Sequence, residues 1–381
     1  MTEPDWTALR GRFPLLRQKT YMNSCSYGLL STEVENAFLA YLDDCRRFGS
    51  HWDFWVGEYE ALRSDFAALL GAMPAEIAVT ASASAGINAV ASALDFSGPR
   101  RKIVITDFEF PTSGQIWHAQ AARGAQIERV IAGNPQTMLE RLSAAVDETT
   151  LLVAATHICY RNGAKLDVGA IADIAKAKGA LVLIDGFQAV GATAFDVSTS
   201  NIDFYAGGAL KYLLGAAGVG FLYARAGATD ALSPAITGWF AQEDIAAMDH
   251  TRHNPARTAR RFEAGTPPVP NVYAARAGLK VIAQASLPMI EKRNAMLTQR
   301  IIDGAMAQGF SIATPTSPRE HGPLIAIRAR DAENLVAALL AEGIITSSRD
   351  GNIRLSPHFY NDECDVDKVL DALRRNRSLL G

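Results

Sequence analysis

The sequence has few cysteines, no surplus of basic residues and no long apolar run. Its 381 residues contain 4 cysteines without a C-x-x-C pair, which excludes a zinc ribbon and a disulfide framework and is typical of a reducing compartment. The net charge is −3, so there is no basic excess for a nucleic-acid backbone. The longest apolar stretch, residues 216–224, is about half of the ~20 residues in a membrane span, and the N-terminus has no signal pattern. We therefore expect a soluble cytoplasmic protein with neither nucleic-acid nor membrane partners.

The sequence does contain a regular alternation of apolar strands and helices. Hydrophobic residues make up 49% and charged residues 20% of the chain, an ordinary globular composition that argues against disorder. The pattern predicts helices at 59–71, 85–94 and 168–178, and strands at 77–80, 102–106, 151–155 and 180–184. Continuous apolar strands separated by helices predict an α/β fold whose large domain has a mainly parallel sheet covered by helices on both faces.

The pattern changes after Gly265. The segments that follow are a Pro-rich hinge at 266–270, a long helix from about 272, short strands near 324–327 and 352–355, and a last helix from about 365. They predict a smaller α+β C-terminal domain. We divide the chain into an N-terminal segment, 1–22, that packs on the small domain, a large domain, 23–264, and the small domain, 265–381.

Two polar residues downstream of the strand at 180–184 suggest chemistry. Asp185 directly follows the strand, and ligands of parallel sheets bind at the carboxyl ends of strands. Lys211 interrupts an apolar stretch, and a buried lysine loses its charge and can form a Schiff base. A pyridoxal phosphate enzyme requires this pair, because the lysine carries the cofactor aldehyde and the carboxylate keeps the pyridine nitrogen protonated. From these two residues alone, a surface lysine and a helix-capping aspartate are an equally open interpretation.

Four motifs in chain order decide between these interpretations. They are Asp185-Gly186-Phe187-Gln188 (D-x-x-Q), Lys211, Arg261-Phe262-Glu263-Ala264-Gly265-Thr266-Pro267 (R-F-E-x-G-T-P) and Arg354-Leu355-Ser356 (R-x-S). With them the sequence resembles, from about Tyr21 to the C-terminus, the class V aminotransferase family of fold-type I pyridoxal phosphate enzymes. That family includes cysteine desulfurases, kynureninases, cystine lyases and isopenicillin N epimerases.

The resemblance implies a role for each matching residue. Asp185 would contact the pyridine nitrogen of pyridoxal 5'-phosphate, Gln188 its phenolic oxygen, and Lys211 would form the Schiff base. Thr266 would reach the phosphate of the neighbouring subunit, which implies a homodimer. Arg354 would bind the carboxylate of an amino acid substrate, for which a planar guanidinium is better suited than an ammonium group.

Two further segments are candidate cofactor contacts. Residues 82–88 lie between a strand and a helix, where free backbone N–H groups and the positive helix end can hold a phosphate. By alignment with the family, Ala83 contributes a backbone N–H and Ser84 a hydroxyl; an ordinary serine-capped helix is the alternative. Phe110 falls where many family members place a ring that stacks on the cofactor, and the alternative is a core phenylalanine.

The sequence also departs from the family pattern. Desulfurases usually have Ser and His at the positions occupied here by Gly208 and Leu210, and a nucleophilic Cys in the loop at 344–350, which contains none. A persulfide-forming desulfurase is therefore disfavoured. Cys25 lies on a loop that borders the site in this family and is kept as an outside candidate.

Several other residues are given a structural interpretation first. His250 and His253 have no third ligand nearby, so we predict no metal site. His157 follows a buried strand and is a candidate to face the site. Trp52 and Trp55 are assigned to packing, with an aromatic wall for the substrate as the alternative.

We therefore predict a homodimeric enzyme that uses pyridoxal phosphate and acts on an amino acid or related amine. The motifs are common to three reactions. We rank aminotransferase activity first, a Cβ (C–S) lyase second and an epimerase third. A non-catalytic protein that retains the fold is the alternative from another class. The presence of Asp185, Gln188, Lys211 and Arg354 together counts against it.

Overall fold

Twelve strands and eleven α-helices are found in residues 3–381, which the computed structural model describes. The helices are α1 (Trp6–Arg10), α2 (Thr32–Phe48), α3 (Trp52–Leu70), α4 (Ala83–Ala93), α5 (Pro111–Ala119), α6 (Pro135–Ala145), α7 (Val168–Ala177), α8 (Val269–Ala285), α9 (Leu287–Ala307), α10 (Ala332–Ala341) and α11 (Glu363–Arg375). The strands are β1 (Thr20–Tyr21), β2 (Ile77–Thr80), β3 (Lys102–Thr106), β4 (Gln126–Val130), β5 (Thr150–Thr156), β6 (Leu181–Asp185), β7 (Phe204–Gly208), β8 (Gly220–Ala224), β9 (Ile325–Arg328), β10 (Ile344–Ile345), β11 (Ser347–Arg349) and β12 (Asn352–Leu355).

The largest sheet has seven strands in the order β2-β8-β7-β6-β5-β3-β4. Strands β3 to β7 pair in parallel, and β8 is antiparallel to both of its neighbours, β2 and β7. This topology, together with the solved structures of similar fold described below, confirms the predicted α/β class with a mainly parallel sheet. An α-helix connects β3 to β4, β4 to β5 and β5 to β6, whereas the connection from β6 to β7 contains only a short 3₁₀ turn.

Helices cover both faces of this sheet. Along β6, Val182 and Ile184 pack in a core with residues of α3, α6, α7 and α8, whereas Leu183 packs in a second core with α4 and α5. Alternate strand residues point to opposite faces, so a strand buried on both sides must be apolar throughout. The edge strand β4 is partly exposed and contains charged residues, which is why no apolar run predicted it.

A smaller sheet, in the order β11-β12-β9, has its own core with residues of α9, α10 and α11. Met22 belongs to this core, and the neighbouring β1 pairs in parallel with β10. Helix α8 instead contributes to the core of the large sheet and packs against α2 and α3. The domain division at residues 22 and 264 stays a prediction. Of the helices in residues 3–381, none has the length and apolar character needed to span a bilayer.

Candidate active site

A cavity of about 400 Å³ opens where the carboxyl ends of the large sheet meet the small sheet. Thr156 and Asp185 come from the ends of β5 and β6, and Arg354 comes from β12. The first residues of α4 line the same cavity. Its position fits the rule that ligands of open parallel sheets bind beyond the carboxyl ends of the strands.

Lys211 lines this cavity with its amine between two aromatic rings. Its Nζ lies 4.5 Å from the ring centroid of Phe187 and 5.9 Å from that of Phe110. Burial lowers the pKa of Lys211 to about 8, which the charges of Cys25 and Asp185 partly oppose and those of Arg354 and Arg349 reinforce. A substantial fraction of the amine is therefore neutral near physiological pH, as a nucleophilic lysine requires.

Asp185 is the last residue of β6 and presents its carboxylate to the cavity. Its Oδ1 accepts a hydrogen bond of 2.9 Å from the backbone N–H of Phe187. Burial raises the pKa of Asp185, and the Phe187 N–H and the Lys211 charge act in the opposite direction. No cation forms an ion pair with this carboxylate within residues 3–381, so it is available to a positive group of a ligand.

Gln188 and Arg354 each have a polar atom without a partner. Gln188 Nε2 donates to the carbonyl of Cys25 at 3.1 Å, while its buried Oε1 has no hydrogen-bond partner in the described chain. Arg354 donates to the carbonyl of Tyr160 at 2.8 Å and to Oγ of Ser347 at 2.8 Å, and its Nε is unsatisfied. Buried polar groups without partners are uncommon, and at a cavity wall they indicate a ligand.

The N-terminus of α4 closes one side of the cavity. Ser82 Oγ caps the helix by accepting from the N–H of Ala85 at 3.1 Å, and Ala83 and Ser84 are the first two helical residues. The serine-capped helix and the predicted phosphate contact are thus compatible, because the cap leaves the N–H groups of Ala83 and Ser84 available to an anion.

Phe110 is not a core residue. Its side chain is 41% exposed and makes an edge contact with Tyr160, with 4.9 Å between the ring centroids. The alternative of a core phenylalanine is therefore wrong, and the aromatic candidate lies in the cavity wall beside Lys211.

The remaining candidates divide into one that lines the cavity and four that do not. Cys25 is buried in its wall. Thr266 is exposed and is not a lining residue of this chain's cavity. The backbone N–H of His157 donates to the carbonyl of Asp185 at 2.9 Å, its Nδ1 is 3.0 Å from the hydroxyl of Tyr205, and burial lowers its pKa to about 3. The two tryptophans that were candidates for a substrate wall, Trp52 and Trp55, pack against each other elsewhere.

Several residues in the cavity wall were not singled out from the sequence, and three of them have aromatic or charged side chains. Phe187 lies inside the D-x-x-Q motif but was assigned no role, and Tyr160 and Arg349 lie in loops and strand ends without a motif. Phe187 also explains the glycine at position 208, because a Cβ there would lie 2.2 Å from its ring. Phe187 and Arg349 had a sequence signal, because Phe187 lies within a motif and Arg349 directly precedes an Asp-Gly turn; Tyr160 had none.

Comparisons with known proteins show which family the chain belongs to. The sequence profile of the class-V aminotransferases matches residues 53–369. The chain is 33% identical over 364 residues to the uncharacterized aminotransferase YcbU of Bacillus subtilis, with 96% of each chain covered. It is 28% identical over 402 residues to the isopenicillin N epimerase of Streptomyces clavuligerus, with 98% of each covered.

Solved structures show the same fold. The cysteine desulfurase of Thermococcus onnurineus superposes with a TM-score of 0.89 at 24% identity, with 100% of each chain covered. The cystine C–S lyase C-DES in complex with cysteine persulfide gives a TM-score of 0.88 at 23% identity, covering 95% of this chain and 99% of that one. The chain therefore belongs to the class-V aminotransferase family, whose members are pyridoxal phosphate enzymes.

Proposed function

We propose that this enzyme is an aminotransferase that binds pyridoxal 5'-phosphate through Lys211 and takes the amino group of an amino acid. The observation that supports the proposal best is the position of Lys211, a buried amine whose pKa is lowered to about 8, in a cavity with one carboxylate and two guanidinium groups.

The residues of the cavity fit the cofactor. The free N–H groups of Ala83 and Ser84 suit a phosphate, and Asp185 suits the protonated pyridine nitrogen. Gln188 Nε2 has a second hydrogen besides the one it donates to the Cys25 carbonyl, and it can donate this hydrogen to the phenolic oxygen of the ring. Phe110 is near enough to Lys211 to contact the ring face. When bound, the cofactor supplies the electron sink that makes the substrate α-proton acidic.

Lys211 and Arg354 would then handle the substrate. Arg354 binds the substrate carboxylate, because its unsatisfied Nε and the rest of its planar guanidinium can form a bidentate contact. Lys211 Nζ removes the proton from the α-carbon and returns it to another carbon atom, which a base with a pKa of about 8 can do in both directions. The aromatic rings beside Nζ limit access of water to the amine.

Lys211 is the one amine among the described lining residues. Transfer of an amino group needs one base that moves a proton between two carbon atoms, and Lys211 can serve as this base. The name of the relative at 33% identity also supports transfer.

The proposal includes a homodimer in the cytoplasm. Thr266 would reach the phosphate of the partner subunit, which fits its exposed position outside this chain's cavity. Exposed apolar side chains on and near α2 and α3 would be covered in such a dimer: Leu30, Leu39, Leu42, Phe48 and Phe54. The four unpaired cysteines suit a reducing compartment.

Visible absorption of the purified protein tests the proposal. The wild type should show the band of lysine-bound cofactor, Lys211→Ala should lose or shift it, and Lys178→Ala, at an exposed ion pair with Glu148, should retain it. With an amino acid and a 2-oxoacid, an aminotransferase exchanges the amino group without releasing ammonia. Release of ammonia with a 2-oxoacid product identifies a lyase, and no band after incubation with the cofactor overturns the proposal. Sedimentation of the same sample tests the dimer.

A further inference from the structure

The cavity has more cationic than anionic side chains before any ligand enters. Lys211, Arg349 and Arg354 line it, and Asp185 is the one carboxylate among the described lining residues. The proposed function uses Asp185 and Lys211 for the cofactor and Arg354 for the substrate carboxylate. It leaves the guanidinium of Arg349 without an anion.

The small sheet directs both arginines to the same side. In the antiparallel pair of β11 and β12, Ser347 is opposite Arg354 and Arg349 is opposite Asn352. Opposite residues share a face, as do residues two apart on one strand, so Ser347, Arg349 and Arg354 project from one face. The hydrogen bond from Arg354 to Ser347 Oγ, at 2.8 Å, agrees with this register.

A tight turn fixes the backbone of Arg349. Asp350 and Gly351 have φ values of 50° and 71°, as a type I′ hairpin turn requires. Asn352 Nδ2 donates to the carbonyls of Arg349 and Asp350 at 3.2 and 3.0 Å. The backbone from which the arginine projects is therefore determined before a substrate binds.

No protein carboxylate in residues 3–381 forms an ion pair with Arg349. The neighbouring Asp350 is 3.4 Å from Arg161 instead. Arg349 is exposed and Arg354 is buried, and both line the cavity. Each guanidinium can therefore receive an anionic group from a ligand that enters the cavity.

We propose that the substrate is an α-amino acid whose side chain carries a second anionic group, bound by Arg349 while Arg354 binds the α-carboxylate. This inference rests on the proposed function and specifies its substrate class. Arg349 is then a specificity-determining residue, because it contacts the group that distinguishes acidic from neutral amino acids.

Isosteric acid and amide pairs test the inference in the cofactor-loaded enzyme. Dissociation constants come from the change in cofactor absorbance with L-glutamate against L-glutamine and L-aspartate against L-asparagine. We expect at least one acid to bind about tenfold more tightly than its amide, as a charge-assisted hydrogen bond predicts. Arg349→Gln should bring this ratio to about one, and Arg349→Lys should retain part of it. The matched control is Arg328→Gln, at an exposed arginine of β9 that does not line the cavity, and it should keep the full ratio.

The inference is overturned if neither acid binds better than its amide, or if the preference survives Arg349→Gln. Calorimetry of the cofactor-free protein with glutarate and with its monoamide separates this failure from that of the proposed function. Glutarate selectivity that depends on Arg349, in a protein that never binds the cofactor, supports the arginine pair and overturns the proposed function. Cofactor binding without any preference for an acid supports the proposed function and overturns the inference about Arg349.

Discussion

Two clusters of buried charge in this molecule differ in how they are neutralised. Glu263 accepts hydrogen bonds from Arg63 and from the N–H of Val79, the latter at 2.8 Å, and Arg63 also donates to Glu60. In the active-site cavity, Asp185 and Lys211 form no ion pair, and the two arginines face the same space. The charges of the first cluster are paired within the protein and hold β2, although Glu263 Oε2 has no hydrogen-bond partner among the described residues. The second cluster leaves its charges for ligands.

Residues of one family motif can have different roles. Arg261 and Glu263 both belong to the R-F-E-x-G-T-P segment, and both are buried structural groups; Arg261 donates to the carbonyl of Thr229 at 2.6 Å. Thr266, three residues after Glu263, is exposed and remains the proposed contact across the dimer. A ligand-binding residue is distinguished by unsatisfied charge or hydrogen-bonding capacity at a cavity, which the motif alone does not reveal.

The largest effect on stability should come from breaking the cluster of paired charges. We expect Glu263→Gln to lower the free energy of unfolding by about 2–3 kcal/mol, because the buried Arg63 then keeps only the partly exposed Glu60 as its counter-ion. Urea unfolding monitored by circular dichroism measures this loss. Arg252→Gln, at an exposed pair with Asp249, is the control and should cost less than about 1 kcal/mol. A comparable small loss for Glu263→Gln would contradict the distinction between the clusters.

Asp185→Asn should impair turnover and leave stability nearly unchanged, in contrast to Glu263→Gln. We expect turnover to fall by about a hundredfold or more, because the charge opposite the cofactor's pyridine nitrogen is lost. The free energy of unfolding should stay within about 1 kcal/mol or rise, since burial already disfavours this carboxylate, as its raised pKa indicates. Steady-state kinetics and urea unfolding on the same preparation measure both. A stability loss as large as that of Glu263→Gln would place Asp185 in the structural class.

Gly208→Ser should affect stability and the site together. The new Cβ would lie 2.2 Å from the Phe187 ring, and overpacking of this kind costs about 1–3 kcal/mol. Displacement of Phe187, whose ring is 4.5 Å from Lys211 Nζ, should also weaken cofactor binding. Adding Phe187→Ala in the same chain should recover stability; if it does not, the close contact is not the cause. Urea unfolding and cofactor titration provide the measurements.

The smallest expected effect is a change in pH dependence. Burial first, and the Asp185 charge second, raise the pKa of Glu109 to about 8, against the hydrogen bond from Thr106. A carboxyl group with a raised pKa in the folded state stabilises the fold at low pH, and this contribution is lost as the pH rises towards 8. In the cofactor-free protein, Glu109→Gln should therefore make the free energy of unfolding less dependent on pH between the ordinary pKa of a glutamate and about 8. The control Glu148→Gln, at an exposed carboxylate, should leave the pH dependence of the free energy of unfolding as in the wild type. The prediction is contradicted if Glu109→Gln also leaves it unchanged, because the Glu109 carboxyl is then solvated.

Much of the fold followed from local patterns. The strand at Lys102–Thr106 and the strand at Asn352–Leu355 were predicted to the residue, because each is a continuous apolar or alternating run with clear ends. The edge strand β4 and the short β10 and β11 were not predicted, since exposed or two- to three-residue strands depend on their partners for definition.

The α/β class could be predicted from the sequence, because the periodicity of strands and helices is a local feature. Asp185 and Lys211 were found at a strand end and in an apolar stretch, and Gln188 and Arg354 through the resemblance to the family. The contact of Phe187 with Gly208 and the pairing of Glu263 with Arg63 are visible only in the three-dimensional structure. The three-dimensional structure also shows that Arg349 projects from the same face as Arg354. These relations join residues up to 200 positions apart, or depend on a strand register set by a turn, and neither is encoded in local composition or periodicity.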